Sequence, residues 1–65
     1  MRITLNGQRI DLPGPMTLSA LANKVGSAPP AAILVNGIPI PRSHHDTTLL
    51  REDDVIDIVP LPLGG

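Results

Sequence analysis

The sequence contains no cysteine, phenylalanine, tyrosine or tryptophan. Without cysteine there is no disulfide to staple a small fold, no thiolate nucleophile and no thiolate zinc site. Without aromatic rings there is no platform on which a nucleobase could stack. Charge is sparse as well, with five basic against six acidic side chains and a net charge of −1. The basic residues Arg2, Arg9, Lys24, Arg42 and Arg51 are scattered along the chain. They make no footprint for a phosphate backbone, so nucleic-acid binding is disfavoured on both counts. Long apolar runs are missing too: the longest, Pro29 to Val35, falls far short of the ~20 residues of a spanning helix. No apolar block follows Arg2 in the manner of a signal peptide, and a cytoplasmic location is the expectation.

What is present is 65 residues, 42% of them hydrophobic and only 17% charged, too apolar a mixture for a disordered chain. One small domain fits this length. Such a chain buries only ~60% of the surface its unfolded form exposes. Its core, built from Ile, Leu, Val, Ala and two Met, supplies roughly 3–5 kcal/mol. An enzyme with its own deep cleft is therefore not expected.

Met1, Ile3 and Leu5 alternate with Arg2 and Thr4, which is the period of a half-buried strand. Asn6-Gly7 follows, a hairpin signal because both turn positions require positive φ. Alternation resumes over Gln8 to Leu12, with Ile10 and Leu12 on one side. Pro13-Gly14-Pro15 stops this second strand, and Thr17 is placed to cap a helix. Leu18, Leu21, Ala22 and Val25 form one helical stripe that must cover a sheet. Lys24 in the last turn and Gly26 beyond it suit the helix dipole and a left-handed cap.

Ser27 to Pro30 reads as a loop, Ala32 to Val35 as a strand, and Asn36-Gly37 as a second tight turn. Ile38-Pro39-Ile40-Pro41 is at most a short edge strand, because two prolines remove two donors. Ser43 to Thr48 is a loop or single helical turn, and Glu52-Asp53-Asp54 is a turn before the last strand, Val55 to Val59. Pro60 is expected to end the pairing. The order is strand, strand, helix, strand, short strand, strand: a small α+β domain with a sheet on one helix.

The chain ends in Gly64-Gly65, a pair that arises by chance in ~0.5% of chains at average glycine usage. Its context strengthens the signal. Pro60 and Pro62 enforce an extended exit, and glycines admit backbone into a channel where any Cβ would clash. Leu61 and Leu63 flank this tail and read either as exposed leucines or, preferably, as anchors for a partner groove.

In this order, Asn6-Gly7, the Thr17-led helix, Val35-Asn36-Gly37, Pro41-Arg42-Ser43, the acidic turn, Val55 to Val59 and Gly64-Gly65 resemble the ubiquitin-like β-grasp sulfur carriers. The likeness runs end to end and is strongest to the thiamine-biosynthesis carriers, the ThiS-like family, with MoaD-like carriers as close relatives. Two departures stand out. The family's acidic turn usually carries glycine where this chain has Asp53, and an aromatic often follows the Pro-Arg segment where this chain has His44-His45.

The resemblance implies a β-grasp domain over residues 1–60, with a mixed sheet of four to five strands on one main helix, and an extended, flexible tail over 61–65. It implies a protein cosubstrate rather than an enzyme, with no catalytic side chain, no metal and no cofactor bound intrinsically. A ThiF/MoeB-like activating enzyme would use ATP and Mg to adenylate the Gly65 carboxylate. A persulfide sulfur from a cysteine desulfurase, directly or by relay, would displace AMP and leave a thiocarboxylate. Thiazole synthase (ThiG-like) is the implied acceptor, with Gly64, Leu63 and Leu61 leading Gly65 into the partner's channel. The alternatives are a sulfur carrier for molybdopterin or another pathway, a ubiquitin-like modifier, and a plain interaction module. The domain itself is expected to be a monomer with a partner-facing sheet.

The run Ser43-His44-His45-Asp46 holds residue types found in hydrolase triads and metal sites. Neighbours in sequence do not readily converge as a triad, and a metal would need ligands from elsewhere. A solvated loop is the preferred reading. Arg42 is expected to pair with a local acid or else to meet a partner.

Overall fold

The structure is a computed structural model that describes residues 1–26 and 31–60. Strands β1 (Arg2–Leu5) and β2 (Gln8–Asp11) form the first hairpin, and helix α1 (Leu18–Lys24) follows. Strands β3 (Ala31–Val35) and β4 (Ile38–Ile40) form the second hairpin, a 3-10 turn spans Arg42–His44, and β5 (Val55–Pro60) completes the sheet. The strand order is β2-β1-β5-β3-β4. Only the central β1–β5 pair is parallel, and the other three are antiparallel.

Thr17 caps the helix as its sequence position predicts, its Oγ1 accepting from the Ala20 N–H at 3.2 Å. Gly26 takes φ +72° just beyond the end, where a left-handed residue closes the last turn. The helix stripe is shorter than its periodicity suggests. Leu18 and Leu21 are buried, but Val25 is the C-cap and is 45% exposed. Helical spacing no longer fixes its direction once the helix has ended.

The core is Ile3, Leu12, Leu18, Leu21, Ile33, Leu50, Ile56 and Ile58, with Met1, Leu5, Ile10, Met16 and Ile40 packed around it. Leu50 belongs to no regular element. It reaches the core because its segment is tied to the helix start, Leu50 N–H donating to Met16 O at 2.9 Å and Leu18 N–H to Thr48 O at 3.0 Å.

Pro60 does not end the pairing as the sequence suggested: it lies within β5, opposite Ala31. The reason is the direction of its nitrogen. Asp54 O, Ile56 O and Ile58 N all bond toward β1 or Asn6, so by alternation Pro60 also turns its backbone away from β3. The missing donor therefore removes no bond from the β3–β5 ladder. Pro39, opposite Leu34 on edge strand β4, is accommodated by the same alternation.

Both Asn-Gly turns do more than reverse the chain. Asn6 Oδ1 accepts from the Ile58 N–H at 2.9 Å, and Asn36 Oδ1 from the Val55 N–H at 3.0 Å, so each turn clips onto β5. Replacing Asn6 by alanine leaves the part-buried Ile58 N–H without its acceptor and puts alanine at φ +48°. Asn6→Ala is expected to cost about 1–3 kcal/mol in a thermal melt, and Asn6→Asp, which keeps the acceptor, clearly less.

Asp53 sits at φ +67°, a backbone that favours glycine, where the resembled family usually has one. The chain holds it there with two bonds, Asp53 N–H to Arg2 O at 2.7 Å and Arg9 Nη2 to Asp53 Oδ1 at 3.0 Å. The second is a surface pair of small worth. Asp53→Gly is expected to raise stability and Asp53→Val to lower it, each by about 1 kcal/mol, measured as shifts in Tm. Equal melts for all three proteins would show that this turn stores no strain.

Candidate functional site

Leu61, Leu63, Gly64 and Gly65, the residues expected to carry function, lie outside the described residues, as does the whole expected tail over 61–65. The loop expected over 27–30 lies outside them as well. What the structure describes is the strand that leads to the C-terminus. β5 is the middle strand of five, between β1 and β3. Ile56 and Ile58 pin it to the core, 0% and 8% exposed. Pairing with β1 stops at Leu5–Ile56, whereas pairing with β3 continues to Ala31–Pro60. The C-terminus is thus delivered from the best-anchored strand, past the end of one neighbour.

Alternation along β5 turns Val55, Asp57 and Val59 to the face opposite the helix. Leu34 and Ala32 stand beside Asp57 and Val59 in register, Pro39 stands beside Leu34, and Thr4 beside Val55. Val55 and Val59 are 42% and 47% exposed, and Asp57 is half-buried. Apart from Asp57, this outer face is apolar across β5 and β3. Toward β1 and β2 it becomes charged, with Arg2 Nε on Asp11 Oδ1 at 2.9 Å and Arg9 on Asp53 at 3.0 Å. Their hydrogen bond, reinforced by charge, raises the Arg2 pKa above its ordinary value and holds the Asp11 carboxyl below its own.

A partner-facing sheet is expected from the sequence, without these residues being singled out as its face. The signal lay in Val55-Ile56-Asp57-Ile58-Val59. A strand with one wet face shows polar residues at every second position, and here two of the three outward positions are valine.

The Ser43-His44-His45-Asp46 run is structural fastening. His45 Nε2–H donates to Ile40 O at 2.9 Å, Ser19 Oγ donates to Asp46 Oδ1, and the His44 carbonyl accepts from Thr48 Oγ1 at 2.7 Å. These bonds tie the segment to α1 and β4 beside an open groove of about 330 Å³ lined by Ser19, Asn23, Arg42, His45 and Asp46. Among the described residues no three His, Cys, Asp or Glu side chains cluster as metal ligands would. Arg42 corrects one expectation. It enters neither of the two ion pairs found among the described residues, which include every Asp and Glu side chain. Among the described residues no helix is long and apolar enough to cross a membrane.

A family model described as the ThiS family matches residues 3–65. Among solved structures, the chain is similar to the crystal structure of a thiamine biosynthesis protein (ThiS) from Geobacter metallireducens. The TM-score is 0.86 at 22% identity, with 100% of both chains covered. It is also similar to an NMR solution structure of a thiamine biosynthesis protein from the same organism. That TM-score is 0.81 at 22% identity, covering 100% of this chain and 88% of the other. No curated protein sequence matches it. At this identity the structural likeness establishes the fold, a ubiquitin-like β-grasp with a five-stranded mixed sheet on one helix. With a family match that runs from Ile3 to the diglycine end, the chain belongs to the ThiS family.

Proposed function

We propose that this protein is a sulfur carrier for thiazole formation in thiamine biosynthesis, and that the Gly65 carboxylate carries the sulfur. The observation that carries this reading is the family match through residue 65, which takes in Gly64-Gly65. The mounting of the preceding residues on the central strand supports it.

A carboxylate is a poor electrophile, so an ATP-using partner must activate it. Attack of the Gly65 carboxylate oxygen on the α-phosphorus of ATP gives an acyl-adenylate and expels pyrophosphate. The terminal sulfur of a persulfide then attacks the acyl carbon and expels AMP, leaving an acyl disulfide. A thiol takes the outer sulfur into a disulfide and frees the thiocarboxylate. This chain supplies the reacting carbon and a docking surface, and the partner supplies the catalytic groups. The outer face around Val55, Leu34 and Val59 is the surface we assign to that docking.

Intact mass spectrometry tests the reading. The protein is incubated with an activating enzyme of this class, Mg-ATP, a cysteine desulfurase and cysteine. The expected product has one oxygen replaced by sulfur, mapped to Gly65. Separate addition of thiazole synthase and of a molybdopterin synthase subunit should discharge the sulfur only to the former. An unchanged mass with demonstrably active enzymes overturns the carrier reading.

A further inference from the structure

The half-buried Asp57 carboxylate stands on the outer face of the central strand. Its register partner is Leu34, and its neighbours along the strand face are Val55 and Val59. Every cationic side chain of the protein lies among the described residues. Arg2 is committed to Asp11 and Arg9 to Asp53, and none forms an ion pair with Asp57.

A carboxylate in this position is tolerable while water reaches it. A flat apolar surface closing over Val55, Leu34 and Val59 would strip that water away. An unpaired charge buried in this way carries a desolvation penalty larger than such a face regains by apolar contact. The face is therefore poorly suited to a wholly apolar partner, and equally to a second copy of itself, which would set Asp57 against Asp57 across a two-fold axis. We infer that the partner surface covering this face presents one arginine or lysine opposite Asp57, set among apolar side chains. The inference rests on the carrier reading and specifies the activating enzyme's docking surface. In this role Asp57 is a positioning residue: it fixes the orientation in which the sheet docks, and so where the strand that leads to the C-terminus is aimed.

The test measures binding of the full chain to the activating enzyme, together with the KM and kcat of loading, for three variants. Asp57→Asn keeps shape and removes charge. Asp57→Lys reverses it. Asp46→Lys makes the same change of net charge on the helix side, away from the outer face. Asp57→Asn is expected to weaken binding about tenfold or more, and Asp57→Lys about a hundredfold or more, with the loss in KM. Salt should weaken binding of the wild type more steeply than of Asp57→Asn, and Asp46→Lys should stay close to wild type. Circular dichroism melts establish that each variant is folded. If the wild type loads normally and Asp57→Lys loads with the same KM, or loses no more than Asp46→Lys, the Asp57 assignment falls and the carrier reading stands. If the wild type is neither bound nor loaded, both fall.

Discussion

Deleting Gly65 is expected to abolish sulfur loading while leaving the melting temperature unchanged. The two halves of that result have separate causes. All eight buried core residues lie between Ile3 and Ile58, so no part of the described core is touched. The chemistry depends instead on the position of one carboxyl carbon. Removing a residue from an extended chain draws that carbon back by about 3.3–3.6 Å, comparable to the whole near-attack distance. A misplacement of about 1 Å can already cost on the order of a hundredfold in rate, so a full residue should leave no measurable product. Appending one alanine after Gly65 moves the carboxylate forward by the same amount and should fail equally. Intact mass after incubation with the activating enzyme and ATP reads both variants. Sulfur gained by either would show that loading does not depend on the position of the terminal carboxyl carbon.

Leu50→Ala is expected to unfold most of the protein at room temperature, and Leu49→Ala to leave it nearly unaffected. Leu50 is 3% exposed and belongs to the single core, whereas Leu49 is 60% exposed. Removing a buried leucine's side chain beyond Cβ costs about 2–5 kcal/mol, through lost apolar transfer and the cavity left behind. That is comparable to the ~3–5 kcal/mol a core in a domain of this size supplies. The exposed neighbour should change stability by no more than about 0.5 kcal/mol. Urea titrations of the two variants and of Leu50→Met, which nearly conserves volume, decide the matter. Similar midpoints for the two alanine variants would place Leu50 outside the core.

The features legible in the sequence were those with local causes. Asn6-Gly7 and Asn36-Gly37 announce tight turns because their backbone angles exclude most other residues, and both asparagines adopt positive φ. Thr17 announces a helix start because its hydroxyl reaches a donor only three residues away. The alternation of Ile3 and Leu5 with Arg2 and Thr4 fixes which side of β1 is buried, without reference to any partner strand. The resemblance carried by the order of these pieces also anticipated the β-grasp fold.

Two of the misreadings, Pro60 and Arg42, depend on contacts distant in sequence, and the third depends on where the helix stops. Periodicity carried Val25 into the helix stripe because it cannot register that the helix has already ended. Pro60 looked like a terminator because its missing donor is visible in the sequence and the direction of its nitrogen is not. Arg42 sits near acids in the chain and pairs with none of them in space.

Determined by the sequence alone, then, were the turns, the helix cap and the buried side of the first hairpin, each set by backbone preference or side-chain alternation within a few residues. Tertiary structure alone decided that β5 runs parallel to β1 at the centre of the sheet, since that pairing joins residues about fifty positions apart. It also decided that Leu50 and not Leu49 enters the core, and that Asp57 stands unpaired among valines and leucine on the outer face. Those outcomes depend on which distant strand comes to lie alongside, and no local pattern encodes that.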